Sequence, residues 1–275
     1  LAKNFETEII SCDSRQFYKE MTIGTSIPSM KEREGVIHHF IQHKSILENY
    51  NAWDFAEDTN IILKNLFVNK DVVIMIGGSG LYARSVIDGL DYFPKVPSSI
   101  KNEIEKMYYQ KGIESLQNIL SDVDPIYFEK VDRNNHRRLI RALEVYKTTG
   151  EPYSSFLNKK TNKKSFKTKA IIIDLPKEIL HQRIKSRIEV MIDKGLEKEA
   201  RKLYQHKGNS AMQTIGYKEW FDFFDKKIRK EEVKNQIIKN TNKYAKKQLT
   251  WFRKNFKDDF VNEIKISSIT NNLLE

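Results

Sequence analysis

Ile9-Ile10-Ser11-Cys12-Asp13-Ser14-Arg15-Gln16-Phe17-Tyr18 is the stretch that decides the fold class. A short apolar run ends abruptly in an acid, a hydroxyl, a guanidinium and an amide. The pattern reads as a buried strand delivering polar groups to its C-terminal edge, where open α/β sheets place their active sites. It recurs at Val72-Val73-Ile74-Met75-Ile76, which runs into Gly77-Gly78-Ser79-Gly80-Leu81-Tyr82. Two strand ends, one carrying Asp13 and the other Ser79, can then face one pocket. Each motif alone also has a plainer reading. An acid after a strand is often a helix N-cap, and Gly-Gly-Ser-Gly is often a tight turn.

A chain of 275 residues can bury one large core, or a core plus a smaller lobe. Its hydrophobic residues amount to 39% and its charged ones to 31%, and no apolar run approaches the roughly 20 residues that cross a bilayer. No signal peptide is visible, and a cytoplasmic protein is expected. The single cysteine, Cys12, excludes an internal disulfide and the multi-cysteine zinc sites. A small buried packing role suits it better than a reactive one.

The net charge of +11 is unevenly spread. Lys130 to Lys169 carries 12 Lys/Arg against three acids, and Lys226 to Lys257 carries 12 against two, which leaves the rest of the chain net acidic. Two concentrated basic segments are the footprint of a polyanion binder, against the plainer reading of solvated helix faces. The interleaved rings of Tyr146, Tyr153, Phe156, Tyr244, Trp251 and Phe252 favour RNA, whose unstacked bases meet aromatic faces.

Along the chain, Leu1 to Phe5 reads as a helix tail and Glu8 to Ser11 as a strand. A short strand follows at His38 to Ile41, and a helix at Trp53 to Asn69 with Phe55, Ile62, Leu63 and Leu66 at helical spacing. Val72 to Ile76 is the next strand, and Ser79 opens a helix to Asp88. Pro94 and Pro97 suggest a linker, after which strands vanish. Helices are expected at Ser98–Lys111, at Ile113–Asp122, from Asp124-Pro125, and at Asn134–Thr149, the last closed by Gly150. Asn158 to Lys169 reads as a mobile polar loop and Ala170 to Leu175 as a third strand. Long helices follow at Ile179–Tyr204 and Glu231–Phe256. The architecture is an α/β core interrupted by an all-helical insertion.

These residues closely resemble the tRNA dimethylallyltransferase (tRNA isopentenyltransferase) family. The carrying blocks are Asp13 to Tyr18, continued by Met21-Thr22-Ile23-Gly24-Thr25; His38-His39-Phe40-Ile41; Gly77 to Tyr82; Arg137 to Glu144; Ala211 to Glu219; and Tyr244 to Arg253. The resemblance implies a P-loop NTPase-like parallel sheet flanked by helices. Residues 1–94 and 168–275 would form the catalytic core, and 95–167 a helical tRNA-binding insertion. It also implies a preceding strand and a Gly-x-x-x-x-Gly-Lys-Thr/Ser phosphate loop. Neither occurs in the sequence, so further residues upstream of Leu1 are expected.

The implied activity is transfer of a dimethylallyl group from dimethylallyl diphosphate to the N6 amine of the adenosine beside the anticodon (position 37 of the tRNA), in tRNAs reading codons that begin with U. Asp13 would accept the amine proton and Ser79, where the family usually has Thr, would donate to the leaving diphosphate. Arg183 and Arg187, four apart on one helical face, resemble the family's diphosphate-binding arginines. Ser14, Arg15 and Gln16, together with Asp13 and Ser79, would read the extruded base and its neighbours. Lys101, Arg137, Arg138 and Arg141 would hold tRNA from the insertion. Gln213, Thr214, Gly216, Tyr217 and Lys218 would complete the RNA channel. Magnesium is expected between the diphosphate and the phosphate loop, near Asp13, and the family implies a monomer. The adjacent histidines His38 and His39 point apart on a strand, which favours packing or hydrogen bonding over metal ligation. Three rivals stand beside this reading: a small-molecule kinase of the same fold, an adenylate isopentenyltransferase acting on free nucleotides, and a non-catalytic tRNA-binding protein.

Overall fold

The computed structural model describes residues 1–159, 166–256 and 260–261. The β-branched run at Ile9 makes strand β1 (Ile9–Ser11), which lies between β2 (His38–His39) and β3 (Ile74–Ile76) with both neighbours parallel. Ile9 stands opposite His38 and Ile74, Ile10 opposite His39 and Met75, and Ser11 opposite Ile76. The register brings the ends of β1 and β3 level, and central placement leaves Ile10 wholly buried.

Between β1 and β2 lies the single-turn helix α1 (Met30–Arg33), closed by a capping box of Ser29 and Glu32. Helix α2 (Ala52–Leu66) starts where Asn51 accepts from the backbone N–H groups of Trp53 and Asp54. It buries Phe55 and Leu63 in a cluster with Ile10, Phe17, Phe40 and Tyr50, against which Tyr82 of α3 (Gly80–Ile87) packs. Burying one such side chain contributes roughly 1.5–3 kcal/mol. Phe17 stacks on Phe55 at 5.4 Å between ring centres, so the residue after the Asp13 turn is anchored in the core.

Asp88–Lys164 forms a compact unit of its own, the other comprising Leu1–Ile87 and Ser165–Glu275. In the first of these, α4 (Ser98–Val123) is two helical stretches meeting at a kink at Gly112, whose φ of 75° is left-handed, which is the helix pair expected from the sequence. Helices α5 (Pro125–Phe128) and α6 (His136–Thr149) complete it, with Leu116, Leu120, Leu139, Ala142 and Leu143 at its core. Buried Asp124 accepts from the N–H of Tyr127 at 3.0 Å and of Ser154 at 2.7 Å. It thereby caps α5 and ties down the turn after α6.

In the larger unit, β4 (Ile172–Ile173) pairs in parallel with β5 (Phe260–Val261). Helices α7 (Lys177–Asp193), α8 (Leu196–Leu203), α9 (Lys218–Phe224) and α10 (Lys230–Asn255) bury a second core. It includes Ile184, Ile188, Met191, Leu196, Ala200, Leu203, Met212, Trp220 and Ile237. Arg253 of α10 pairs with Asp174 just after β4.

Two local expectations are corrected. The single helix expected over 179–204 is broken by Gly195, whose φ of 97° turns the chain between α7 and α8 while the apolar stripe continues across it. Leu1–Phe5 is a run of turns rather than a helix end. Of the polar loop expected at 158–169, residues 160–165 lie outside the described residues.

Candidate active site at the two strand ends

The ends of β1 and β3 are locked together. Cys12 N–H donates to the Ile76 carbonyl at 2.8 Å, extending the ladder one step beyond the strands. Asp13 then turns the chain, its Oδ1 accepting from Arg15 N–H at 2.9 Å. On the opposing side, a Cβ at Gly77 would lie 2.6 Å from the Cys12 carbonyl carbon and 2.7 Å from Asp13 N. Only glycine allows this approach. Ser79 Oγ accepts from Ser14 N–H and donates to Ser14 Oγ, each at 2.9 Å. The two motifs therefore share one hydrogen-bonded corner.

Helix α10 covers the glycine loop. A Cβ at Gly78 would lie 2.2 Å from Gln248 Nε2, and one at Gly80 would lie 2.3 Å from the Trp251 ring. Gln248 Nε2 also donates to the Gly78 carbonyl at 2.8 Å. The two glycines thus make room for the C-terminal signature.

Burial pushes the Asp13 carboxyl above the ordinary carboxylate range, against the opposing pull of the Arg15 N–H bond and of the Arg187 and Arg15 charges. The result is a stronger proton acceptor than a free aspartate. Burial also pushes the neighbouring Cys12 thiol up to about 12, so it stays protonated and unreactive near neutrality. The Tyr244 phenol of α10 lies within electrostatic reach of both Asp13 and Arg15. Its proximity to Asp13 was not legible beforehand, since the sequence places it only in an aromatic-rich basic helix.

Arg187 of α7 donates through Nε to Ser26 Oγ at 2.8 Å, and its charge acts on Asp13. Arg183, one turn earlier, is exposed. Gln16 donates to the carbonyls of Thr25 at 3.1 Å and Ser26 at 3.2 Å, and its Oε1 accepts from Ser11 Oγ at 3.3 Å. Its amide is thus engaged by the chain itself. Arg15 reaches the Ser210 carbonyl at 3.5 Å, which joins the Asp13 turn to the segment at 210–218.

Most of that segment, expected in the RNA channel, packs inward. Thr214, Gly216 and Tyr217 are buried, with Thr214 Oγ1 donating to the Ala211 carbonyl at 2.6 Å and Gly216 N–H to Glu219 at 2.7 Å. Tyr217 is 0% exposed and its phenol donates to Glu199 at 2.6 Å. These bonds are all made within the chain. Gln213 is exposed and Lys218 half-buried. In the helical unit Lys101, Arg137 and Arg138 are exposed, whereas Arg141 lies 3.4 Å from Glu144 and 5.6 Å over the Phe93 ring.

His39 pairs with Glu8 at 2.5 Å and His38 meets the Val36 carbonyl at 2.9 Å, the divergent hydrogen-bonding roles expected of strand neighbours. Among the described residues no group of three or more His, Cys, Asp or Glu could hold a metal ion. A magnesium ion that travels with a diphosphate and keeps its own waters needs only one or two protein oxygens, and Asp13, Ser14 and Ser79 fit that more modest demand.

The sequence profile of IPP transferase matches residues 16–255. The chain belongs to the IPP transferase family. It is 47% identical over 254 residues to a tRNA dimethylallyltransferase of Christiangramia forsetii, covering 92% of this chain and 84% of the relative. To the tRNA dimethylallyltransferase of Flavobacterium johnsoniae it is 43% identical, covering 93% and 84%. The crystal structure of the full-length tRNA isopentenylpyrophosphate transferase of Bacillus halodurans superposes with a TM-score of 0.67 at 31% identity, over 98% of this chain and 87% of that one. A eukaryotic dimethylallyltransferase acting on tRNA gives a TM-score of 0.74 at 26% identity, over 91% and 64%. This IPP transferase thus has the P-loop-like α/β fold expected, with no helix among the described residues long and apolar enough to cross a membrane.

Proposed function

We propose that this IPP transferase moves a dimethylallyl group from dimethylallyl diphosphate to the N6 amine of the adenosine beside the anticodon, in tRNAs reading codons that begin with U. The observation that carries the reading is the shared corner of Asp13, Ser14 and Ser79, on whose acid the Arg187 charge acts, within a chain of this family. In the transfer the bond from the prenyl C1 to oxygen breaks and the bond from C1 to N6 forms. The N6 proton passes to Asp13, and diphosphate leaves with the electron pair. An arylamine is a weak nucleophile, so a carboxylate of raised proton affinity suits the acceptor role.

Ser79 and Ser14 hydroxyls meet the charge that develops on the leaving oxygen, and Arg187 and Arg183 the remaining phosphate oxygens. Arg15 is left to approach the tRNA, and Tyr244 to flank the base beside Asp13. Asp13, Ser14 and Ser79 would be the residues to hold a magnesium ion bound with the diphosphate, which would add charge neutralisation there. The exposed Lys101, Arg137 and Arg138, with Arg141, Gln213 and Lys218, supply phosphate contacts to the anticodon stem-loop. A cytoplasmic, monomeric enzyme completes the proposal.

The test is incorporation of labelled dimethylallyl diphosphate into unmodified tRNA carrying an A-A-A run beside the anticodon, with Asp13→Ala as control. Label in the wild type and not in the variant is expected. Retained tRNA binding with no label in either would favour a non-catalytic RNA-binding protein instead.

A further inference from the structure

The loop that follows the Asp13 turn is held by one side chain from a distant helix. Glu199 of α8 accepts from three successive backbone amides. Thr22 N–H lies 3.1 Å from Oε2, Ile23 N–H 3.0 and 2.9 Å from Oε1 and Oε2, and Gly24 N–H 3.0 Å from Oε1. Tyr217 adds its phenol to Oε1 at 2.6 Å. Its ring also occupies the space where a Cβ of Gly24 would fall, 2.4 Å from Cζ. A carboxylate that accepts several N–H bonds at once fixes the peptide planes that donate them.

The fixed peptides lead directly into the site. Thr25 and Ser26 supply the carbonyls that engage the Gln16 amide, and Ser26 takes up a left-handed φ of 51°. That strained residue presents the hydroxyl accepting from Arg187 Nε at 2.8 Å. Arg187 in turn acts on Asp13. The path runs from Glu199 through the 22–24 amides to Ser26, and from there to the guanidinium whose charge acts on the proton acceptor.

We propose that Glu199 is a positioning residue for prenyl transfer, fixing the 22–26 loop so that Ser26 holds Arg187 against the reacting centre. The inference rests on the transfer reading given above. Glu199 touches neither substrate; it acts through the loop. Glu199→Gln preserves size, yet it sets an NH2 group against amides that can only donate.

The experiment is a single-turnover measurement with full-chain enzyme in saturating excess over unmodified tRNA, using labelled dimethylallyl diphosphate. Under these conditions a smaller folded fraction leaves the observed rate unchanged, so a merely structural role does not register. Glu199→Gln is expected to slow the step about tenfold or more, as misplacement of reacting groups does. tRNA affinity should stay within about threefold, since the phosphate contacts that supply it lie elsewhere. Ser26→Ala is expected to slow the same step, and the double variant to be no slower than Glu199→Gln alone, because both act through one path. Tyr217→Phe, which removes a single bond to Oε1, provides a milder variant should Glu199→Gln fail to fold; it too should slow single turnover.

An unchanged single-turnover rate in Glu199→Gln or, failing that variant, in Tyr217→Phe would overturn the inference. Effects of Glu199→Gln and Ser26→Ala that simply multiply would do the same. A wild type inert under these conditions would instead overturn the transfer reading, and the inference with it.

Discussion

Asp13 combines two properties that pull in opposite directions, burial and a nearby positive charge, and burial dominates. Its carboxyl therefore loses its proton above the ordinary aspartate value of about 3.9. Transfer should fall on acidification along a limb centred above that value, measurable as kcat/KM for tRNA against pH. Asp13→Asn should lower the rate by ~10²–10⁴-fold, the usual worth of a positioned acid or base, and abolish the limb. The same shift has a stability sign. The folded chain holds this proton more tightly than the unfolded one, so Asp13 contributes less stability as pH rises from about 3.9 through its native value. Urea midpoints of Asp13→Asn should accordingly lack that decline. Cys12, one residue away, behaves as a core side chain. With its thiol pushed up to about 12, alkylation by iodoacetamide should be slow in the native protein and prompt in urea. Rapid native alkylation, followed by mass spectrometry, would contradict this.

At the scale of elements, the glycine loop works because α10 presses on it. Gly80→Ala drives a methyl group into the Trp251 ring, a backbone-borne clash in a packed corner. The expected cost is about 1–3 kcal/mol by urea unfolding. Shrinking the ring in a Gly80→Ala/Trp251→Leu double variant should recover part of it, and purely additive losses would count against direct contact. Much of this corner could be read from the sequence, because an apolar run ending in Asp13-Ser14-Arg15-Gln16 and another ending in Gly77-Gly78-Ser79-Gly80 carry chemistry in their residue types. The break at Gly195 could not, because Leu180, Ile184, Ile188, Leu196, Ala200 and Leu203 keep one stripe across it. Glu199 sits among Glu197, Lys198 and Arg201, which looks like a solvated helix face. Its partners lie some 175 residues away in sequence, at Thr22 to Gly24, where only tertiary structure can bring them. Tyr217 was legible as a motif residue but not as a buried one, because its ring packs against Gly24, far away in sequence.

At the scale of the whole molecule, one of the two basic segments stands apart in the chain from the chemistry, while the other, α10, lies in the same unit as the Asp13 corner. The acid, hydroxyls and Arg187 belong to the larger unit, while Arg137 and Arg138 stand exposed on α6 of the helical one. A basic surface that holds a polyanion does so by releasing counterions, so its contribution depends on salt but not on which base lies at the site. Replacing both arginines with alanine should therefore weaken tRNA binding by a similar factor for modified and unmodified tRNA. It should also flatten the plot of log Kd against log salt by about one unit per lost contact. Single-turnover transfer at saturating tRNA should be preserved, because neither residue belongs to the Asp13 corner. Arg141 should count for less than either, since Glu144 and the Phe93 ring already engage its guanidinium. If the double variant instead slowed the saturated step while leaving the salt slope intact, these arginines would belong to the chemistry rather than to tRNA capture, and the division would have to be redrawn.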